Sequence, residues 1–307
     1  MTSPAISAEH LVRSFGETRA LVDVSFDVPA GSVCALLGRN GAGKTTAVRI
    51  LTTLLAADGG RAKVAGFDVL TQPDKVRTRI GVTGQTATMD ELLTGQENLE
   101  IIGRFCHLGA AESRRRGADL LRDFDLVEAG DRLVKKYSGG MRRRLDLAAS
   151  LIADPEVLFL DEPTTGLDPI SRSEMWAAIR ALVTRGTTVL LTTQYLDEAD
   201  QLADTIVVVD RGLVVASGTP EQLKASIGRP HVRVTLRDFD AAGLEAVRQV
   251  LGPEAKVHGL SVTAPAAEGL PALSEVVTSL QRLALPVYEV GLEHPSLDEV
   301  FTTVTAR

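Results

Sequence analysis

Apolar and polar residues alternate along Leu21-Val22-Asp23-Val24-Ser25-Phe26-Asp27-Val28, and residues 5–13 show the same alternation less cleanly. A period of two predicts strands with one buried face, and Pro29-Ala30-Gly31 predicts the turn after the second. Three later runs are apolar without alternation: Val33-Cys34-Ala35-Leu36-Leu37, Val157-Leu158-Phe159-Leu160 and Val189-Leu190-Leu191, which Thr192-Thr193 extends. Such runs predict strands covered on both faces. Residues 59–70 read as strands at the edge of the same layer, residues 80–85 as a strand ending in a polar loop, and residues 206–216 as a hairpin. Residues 73–79, about 89–153 and about 170–184 read as helical, and Pro220 opens a further short helix. Strands and helices in this order predict an α/β fold.

The pattern changes after Gly228-Arg229-Pro230. From His231 onward the order is strand, helix, strand pair, helix, strand and a last helix at Leu297–Thr303, which predicts a small ferredoxin-like α+β domain. The expected division is therefore 1–228 and 229–307, with a helical subdomain at about 86–153. The second part holds no catalytic cluster, and His258 and His294 stand alone in it, a weak basis for metal ligation.

Composition narrows the function classes. The 307 residues are 44% hydrophobic and 24% charged, ordinary for a globular protein. A net charge of −7 and an aromatic content of 4% oppose nucleic-acid binding, which needs a basic face or stacking platforms. Two cysteines, Cys34 and Cys106, make no disulfide framework and fit a reducing compartment. The opening Met-Thr-Ser-Pro lacks the basic and apolar regions of a signal peptide, and no run approaches the roughly 18 apolar residues of a membrane span.

The sharpest chemical signal is Gly38-Arg39-Asn40-Gly41-Ala42-Gly43-Lys44-Thr45-Thr46, which fits Gly-x-x-x-x-Gly-Lys-[Ser/Thr] between a predicted strand and a predicted helix. The glycines let backbone N–H groups turn toward one point, and the helix start adds positive partial charge there. Lys44 is expected to reach the β- and γ-phosphates of ATP or GTP, and the Thr45 hydroxyl to ligate Mg²⁺. A second signal is Asp161-Glu162 at the end of an apolar run, the Walker-B arrangement: Asp161 suits Mg²⁺ and Glu162 suits a general base toward water. A third is Ser138-Gly139-Gly140-Met141. Ser138 is a good helix cap, but two glycines just inside a helix weaken it, so their backbone is expected to approach something closely. Arg142, Arg143 and Arg144 are expected to face solvent or acidic neighbours, and Arg114, Arg115 and Arg116 to form a solvated face. Phe15-Gly16 sits in a loop where the ring could stack on adenine or pack.

Together these pieces resemble the ATP-binding-cassette family over residues 5 to about 225. Its most specific part is Tyr137-Ser138-Gly139-Gly140-Met141, similar to a family signature that normally ends in Gln. The resemblance identifies Phe15 with the adenine-stacking aromatic, Gln85 with the glutamine loop near Mg²⁺, and Asp168 with the loop after Walker B. The stretch from Leu191 to Asp200 and Pro295-Ser296-Leu297-Asp298-Glu299-Val300-Phe301 resemble, more narrowly, the daunorubicin-resistance-type drug-export ATPase subunits of actinobacteria. The resemblance implies a head-to-tail homodimer in which each ATP lies between Lys44 of one copy and Ser138 to Gly140 of the other. It also implies a separate permease docked on the helical part between Gln85 and Ser138, and a place on the cytoplasmic face of the membrane. Gln194 departs from it, because most cassettes place His there to hold the γ-phosphate and the attacking water. At this stage an ATP-switched clamp with little hydrolysis stays open, as does export of lipid or polysaccharide instead of a drug. A cassette acting on ribosomes or DNA is opposed by the acidic charge and the single cassette.

Overall fold

The computed structural model describes residues 3–84, 89–238, 240–266, 270–283, 285–293 and 295–306. Contacts divide the chain into two units, 1–220 and 221–307. Among the described residues no helix is long and apolar enough to cross a membrane.

The first unit is built on ten strands: β1 (Ile6–Phe15), β2 (Thr18–Val28), β3 (Val33–Leu37), β4 (Gly59–Val64), β5 (Phe67–Asp68), β6 (Ile80–Thr83), β7 (Val157–Asp161), β8 (Thr188–Thr193), β9 (Thr205–Asp210) and β10 (Leu213–Gly218). Their order in one mixed sheet is β5-β4-β1-β2-β10-β9-β3-β8-β7-β6. The alternating sequences fall where alternation is useful: β1 and β2 pair antiparallel, with Ile6 opposite Val28 and Phe15 opposite Thr18. The unbroken apolar runs form the parallel centre, β9-β3-β8-β7-β6. Every residue of β3, β7 and β8 is buried, as strands covered on both faces require. In register, Ala35 lies between Leu191 and Ile206, and Leu158 between Gly81 and Val189. All five parallel strands therefore end on one edge.

The helices of this unit are α1 (Lys44–Leu51), α2 (Pro73–Arg77), α3 (Gly95–Phe105), α4 (Ala110–Asp123), α5 (Gly139–Ser150), α6 (Pro169–Thr184) and α7 (Leu196–Leu202). A reciprocal cap starts α3: Thr94 accepts from the Glu97 N–H, and the Glu97 carboxylate accepts from the Thr94 N–H. α5 buries Leu145, Ala148 and Ala149, and Ile152 just beyond it, as its apolar stripe predicts. Arg114 and Arg115 stand largely in solvent beside Glu100 and Glu112.

The second unit contains α8 (Pro220–Ile227), counted with it from Glu221, then β11 (His231–Leu236), α9 (Ala241–Leu251), β12 (Lys256–His258), β13 (Ser261–Pro265), α10 (Leu270–Arg282), β14 (Val287–Glu293) and α11 (Leu297–Thr305). The strands run β12-β13-β11-β14, every pair antiparallel, which is the ferredoxin-like arrangement expected from the element order. Val232, Val234 and Leu236 of β11 turn to a core with Leu244, Val247 and Leu280, while His231, Arg233 and Thr235 take the other face. His258 is exposed on β12, and His294 lies outside the described residues.

The cysteines differ in a testable way. Burial pushes the Cys34 thiol up to about 12, whereas Cys106 is exposed and is raised less by partial burial. Only the thiolate is the nucleophile. Iodoacetamide at about pH 8 should label Cys106 alone in the native protein and both thiols after denaturation. Peptide mass spectrometry reads the sites, and equal native labelling of Cys34 would contradict its place in β3.

Candidate functional site

The site begins where β3 stops. Gly38 leaves the strand against the Val209 carbonyl, closer than any side chain could fit. Gly41 and Gly43 take positive φ, 81° and 113°. A Cβ on Gly43 would also meet the Ala20 carbonyl oxygen at 2.6 Å and Leu21 at 2.8 Å, so both conformation and space demand glycine there. α1 starts at Lys44 with no side-chain cap, leaving its first N–H groups to the loop's interior. The Lys44 ammonium donates to the Gly38 carbonyl at 2.7 Å and the Arg39 carbonyl at 3.1 Å. Burial lowers its pKa, and the nearby Glu162 and Asp161 carboxylates oppose that shift.

β8 lies between β3 and β7, and its Thr192 supplies the connection. The Thr192 hydroxyl donates to Asp161 Oδ1 at 2.5 Å and accepts from the Glu162 N–H at 3.1 Å. Asp161 is thereby aimed at α1, with both carboxylate oxygens 3.4 Å from the Thr45 hydroxyl. A hydroxyl beside a carboxylate is the oxygen-only donor set that suits a hard divalent cation. Glu162 adopts φ 51°, an uncommon region for a residue with a side chain. Its Oε2 accepts weakly from the Thr165 hydroxyl at 3.3 Å.

A cavity of about 440 Å³ gathers Phe15, Ala20, Asn40, Gly43, Lys44 and Glu162 with the remaining loop residues Gly41, Thr45 and Thr46. Residues separated by more than a hundred positions in sequence thus meet around one space. Phe15 is half exposed at its rim, with the Arg13 guanidinium 5.0 Å from the ring centre. Gly38 and Ala42 hold the loop from below: Ala42 is buried, and its carbonyl accepts from the Gly212 N–H at 2.9 Å.

Ser138, Gly139 and Gly140 do not line this cavity. Ser138 caps α5, accepting from the Met141 N–H at 3.2 Å. Gly140 packs on Ser171 of α6, where a Cβ would stand 2.7 Å from the hydroxyl. Gly139 is different: it is exposed, and an added Cβ would meet nothing within 4 Å. Nothing among the described residues explains a glycine there, although it costs about 0.5–1 kcal/mol relative to Ala. Asp168 caps α6, accepting from the Ser171 N–H at 2.9 Å and hydroxyl at 2.8 Å. Gln194 follows β8 and is exposed, outside the set that lines the cavity. Gln85 lies outside the described residues.

Two residues escape the sequence reading. Thr192 sits in an apolar run, and only its neighbours across the sheet reveal its task. Arg143 meets the expectation only in part: it has an acidic neighbour, Asp146 at 3.6 Å, but does not face solvent. Arg142 and Arg144 do reach acidic neighbours, Glu91 at 3.6 Å and Glu174 at 3.5 Å. Arg143 instead turns inward onto backbone carbonyls of Gly84, Asp161, Glu162 and Pro163. A run of three arginines carries no such address.

The ABC transporter family profile matches residues 21–165. Over the whole chain the sequence is 53% identical to the daunorubicin resistance ATP-binding protein DrrA2 of Streptomyces coeruleorubidus, covering 100% of this chain and 97% of that one. It is 50% identical to the daunorubicin/doxorubicin resistance ATP-binding protein DrrA of Streptomyces peucetius, covering 99% and 93%. Among solved structures, cbiO1 from Clostridium perfringens, part of the ABC transporter complex cbiONQ, superposes with a TM-score of 0.68. That match has 26% identity and covers 73% of this chain and 92% of the other.

Thr192→Val keeps the shape of the side chain and removes its hydrogen bonds to Asp161 and Glu162. Leaving buried polar groups unmatched costs about 1–3 kcal/mol, so the urea midpoint should fall accordingly. An unchanged midpoint would mean that these bonds contribute nothing. The bonds from Ser171 hold the Asp168 carboxylate below its usual range. A lowered folded-state pKa gives stability that is present above the unfolded value and lost as pH falls through the folded one. Asp168→Ala should therefore flatten the decline of Tm between about pH 5 and pH 3. A decline as steep as the parent's would exclude that contribution.

Proposed function

This chain belongs to the ATP-binding subunits of ABC transporters, and from that premise we propose that it powers efflux of a hydrophobic drug or antibiotic through a separate membrane permease. It is an ATPase. The observation that carries the reading is the meeting of Phe15, the glycine loop and Glu162 around one cavity, with Ser138 and Gly139 exposed and outside the set that lines it. Residues 1–228 act as the nucleotide-binding domain, with a helical part at about 86–153, and residues 229–307 as an accessory domain.

The chemistry follows from the positions. Phe15 stacks on the adenine, and the backbone N–H groups of the cavity-lining loop residues, Asn40, Gly41, Gly43 and Lys44 to Thr46, receive the phosphates. Lys44 leaves its loop carbonyls for the β- and γ-phosphates, which offer an anion in place of two neutral acceptors. Thr45 and Asp161 fit Mg²⁺, which when bound would neutralise charge on the phosphates, and the family resemblance assigns Gln85 to the same ion. Glu162 accepts a proton from the water that attacks the γ-phosphate, yielding ADP and phosphate.

Two copies close head-to-tail. The start of α5, with Ser138 and Gly139 exposed and Gly140 behind them, presents N–H groups to the nucleotide on the other copy's Lys44, beside Asp168. A partner's nucleotide against this segment accounts for a glycine at which an added Cβ would meet nothing among the described residues. The permease docks on the helical part between Gln85 and Ser138, which places the subunit at the cytoplasmic face of the membrane. Closure on ATP drives the permease from one access state to the other, and hydrolysis reopens the pair.

Gln194 donates a neutral amide where a protonated His would give a charge-assisted bond. Charge-assisted bonds contribute about 1.5–3 kcal/mol and neutral ones about 0.5–1.5, so the difference is worth roughly tenfold in rate. ATP turnover by the permease complex tests the set. Lys44→Ala should lose nucleotide binding. Glu162→Gln should bind ATP but lose about 100-fold or more in kcat. Ser138→Arg should bind ATP without closing. Gln194→His should gain about tenfold in kcat and acquire pH dependence near neutrality. Parent-like turnover in both Lys44→Ala and Ser138→Arg would sink the reading.

A further inference from the structure

α5 begins with the segment proposed to meet the partner's nucleotide, and one turn later it sends a side chain into the chain's own hydrolytic edge. Arg143 is nearly buried, its side chain 10% exposed. Its Nε donates to the Pro163 carbonyl at 2.7 Å, Nη1 to Gly84 at 2.9 Å, and Nη2 to Glu162 at 2.8 Å and Asp161 at 3.2 Å. Those carbonyls stand at the ends of β6 and β7, where the ladder of the sheet stops. Asp146, buried one turn further along α5, lies 3.6 Å from Nη1 and balances the charge.

Two physical points make this more than packing. First, the residue that most needs holding is Glu162, whose left-handed backbone persists only if its surroundings fix it. Arg143 binds the carbonyls on both sides of it and its own. Second, a guanidinium is a rigid planar fork with five donors, so the carbonyls it grips move as a body with the helix that carries it. The fork also reaches Gly84, the residue before Gln85.

We propose that Arg143 is a positioning residue that couples the two nucleotide sites: when Ser138–Gly140 engages the partner-bound ATP, the displacement of α5 is delivered through Arg143 to the backbone of Glu162. The proposal rests on the head-to-tail reading above. Arg143 touches no substrate; it sets where the Glu162 carboxylate stands relative to the attacking water.

The test is Arg143→Lys in the full chain with its permease. Lysine keeps the charge but offers a compact ammonium that cannot span the carbonyls of two strand ends. We expect kcat to fall about tenfold or more, the KM for ATP to stay within about twofold, and the Hill coefficient for ATP to drop from about 2 toward about 1. Hydrogen exchange gives a second readout that a purely structural role would not move. In the parent, ATP should protect the peptides covering 138–144 and 161–168 together. In Arg143→Lys the first should stay protected and the second should not. Parent-like kcat and Hill coefficient would overturn the proposal. So would a loss of ATP affinity, Tm and activity in step, because that pattern marks a merely structural residue. Ser138→Arg separates the levels: if it turns over normally, the head-to-tail reading fails; if it is impaired while Arg143→Lys is normal, only the coupling fails.

Discussion

Where a parallel strand ends, its backbone groups lose their ladder partners, and each must find another or face the cost of burial without one. Every part of the site answers that constraint. Beyond β3 the chain turns on glycines so that N–H groups face inward and α1 can start from them. Beyond β7 the N–H of Glu162 goes to Thr192, and carbonyls on either side go to Arg143. The groups left over point to one edge, which is where open α/β sheets bind ligands. Binding and catalysis reuse the donors and carboxylates that folding leaves at that edge.

Charge is arranged by the same edge. A buried lysine, two carboxylates and a buried arginine lie within the space of a few side chains. None is isolated: Lys44 has two carbonyls, Asp161 has Thr192, and Arg143 has four carbonyls and Asp146. Neutral acceptors around a cation are easily exchanged for anionic ones, which suits the phosphate contact proposed for Lys44. The arginine, held by a planar fork rather than one contact, suits a position that must not shift by itself. The two cations therefore divide the labour between a mobile contact and a fixed one.

Much of this was legible in sequence because the informative features are local. The alternation in β2 and the unbroken apolar runs of β3, β7 and β8 gave the sheet its two halves, since burial on one face or two writes a different pattern. Ser138 announces a helix start by a side chain that can cap three residues ahead, whereas Asp168, read as a loop residue, proves to be a cap only in the structure. The glycine loop is readable because positive φ and close backbone approach permit few other residues.

The sequence by itself determined the strand types, the Ser138 cap, the phosphate loop and the pair Asp161-Glu162, because each is fixed by neighbours within a few positions. Only the tertiary structure decided that β8 lies between β3 and β7, and hence that Thr192 links Asp161 to Glu162. It alone turned Arg143 inward among three like residues, and it alone brought Phe15 to the cavity that holds Lys44 and Glu162. Strand order and the direction of a long side chain depend on contacts between distant segments, and no local pattern of polar and apolar residues encodes them.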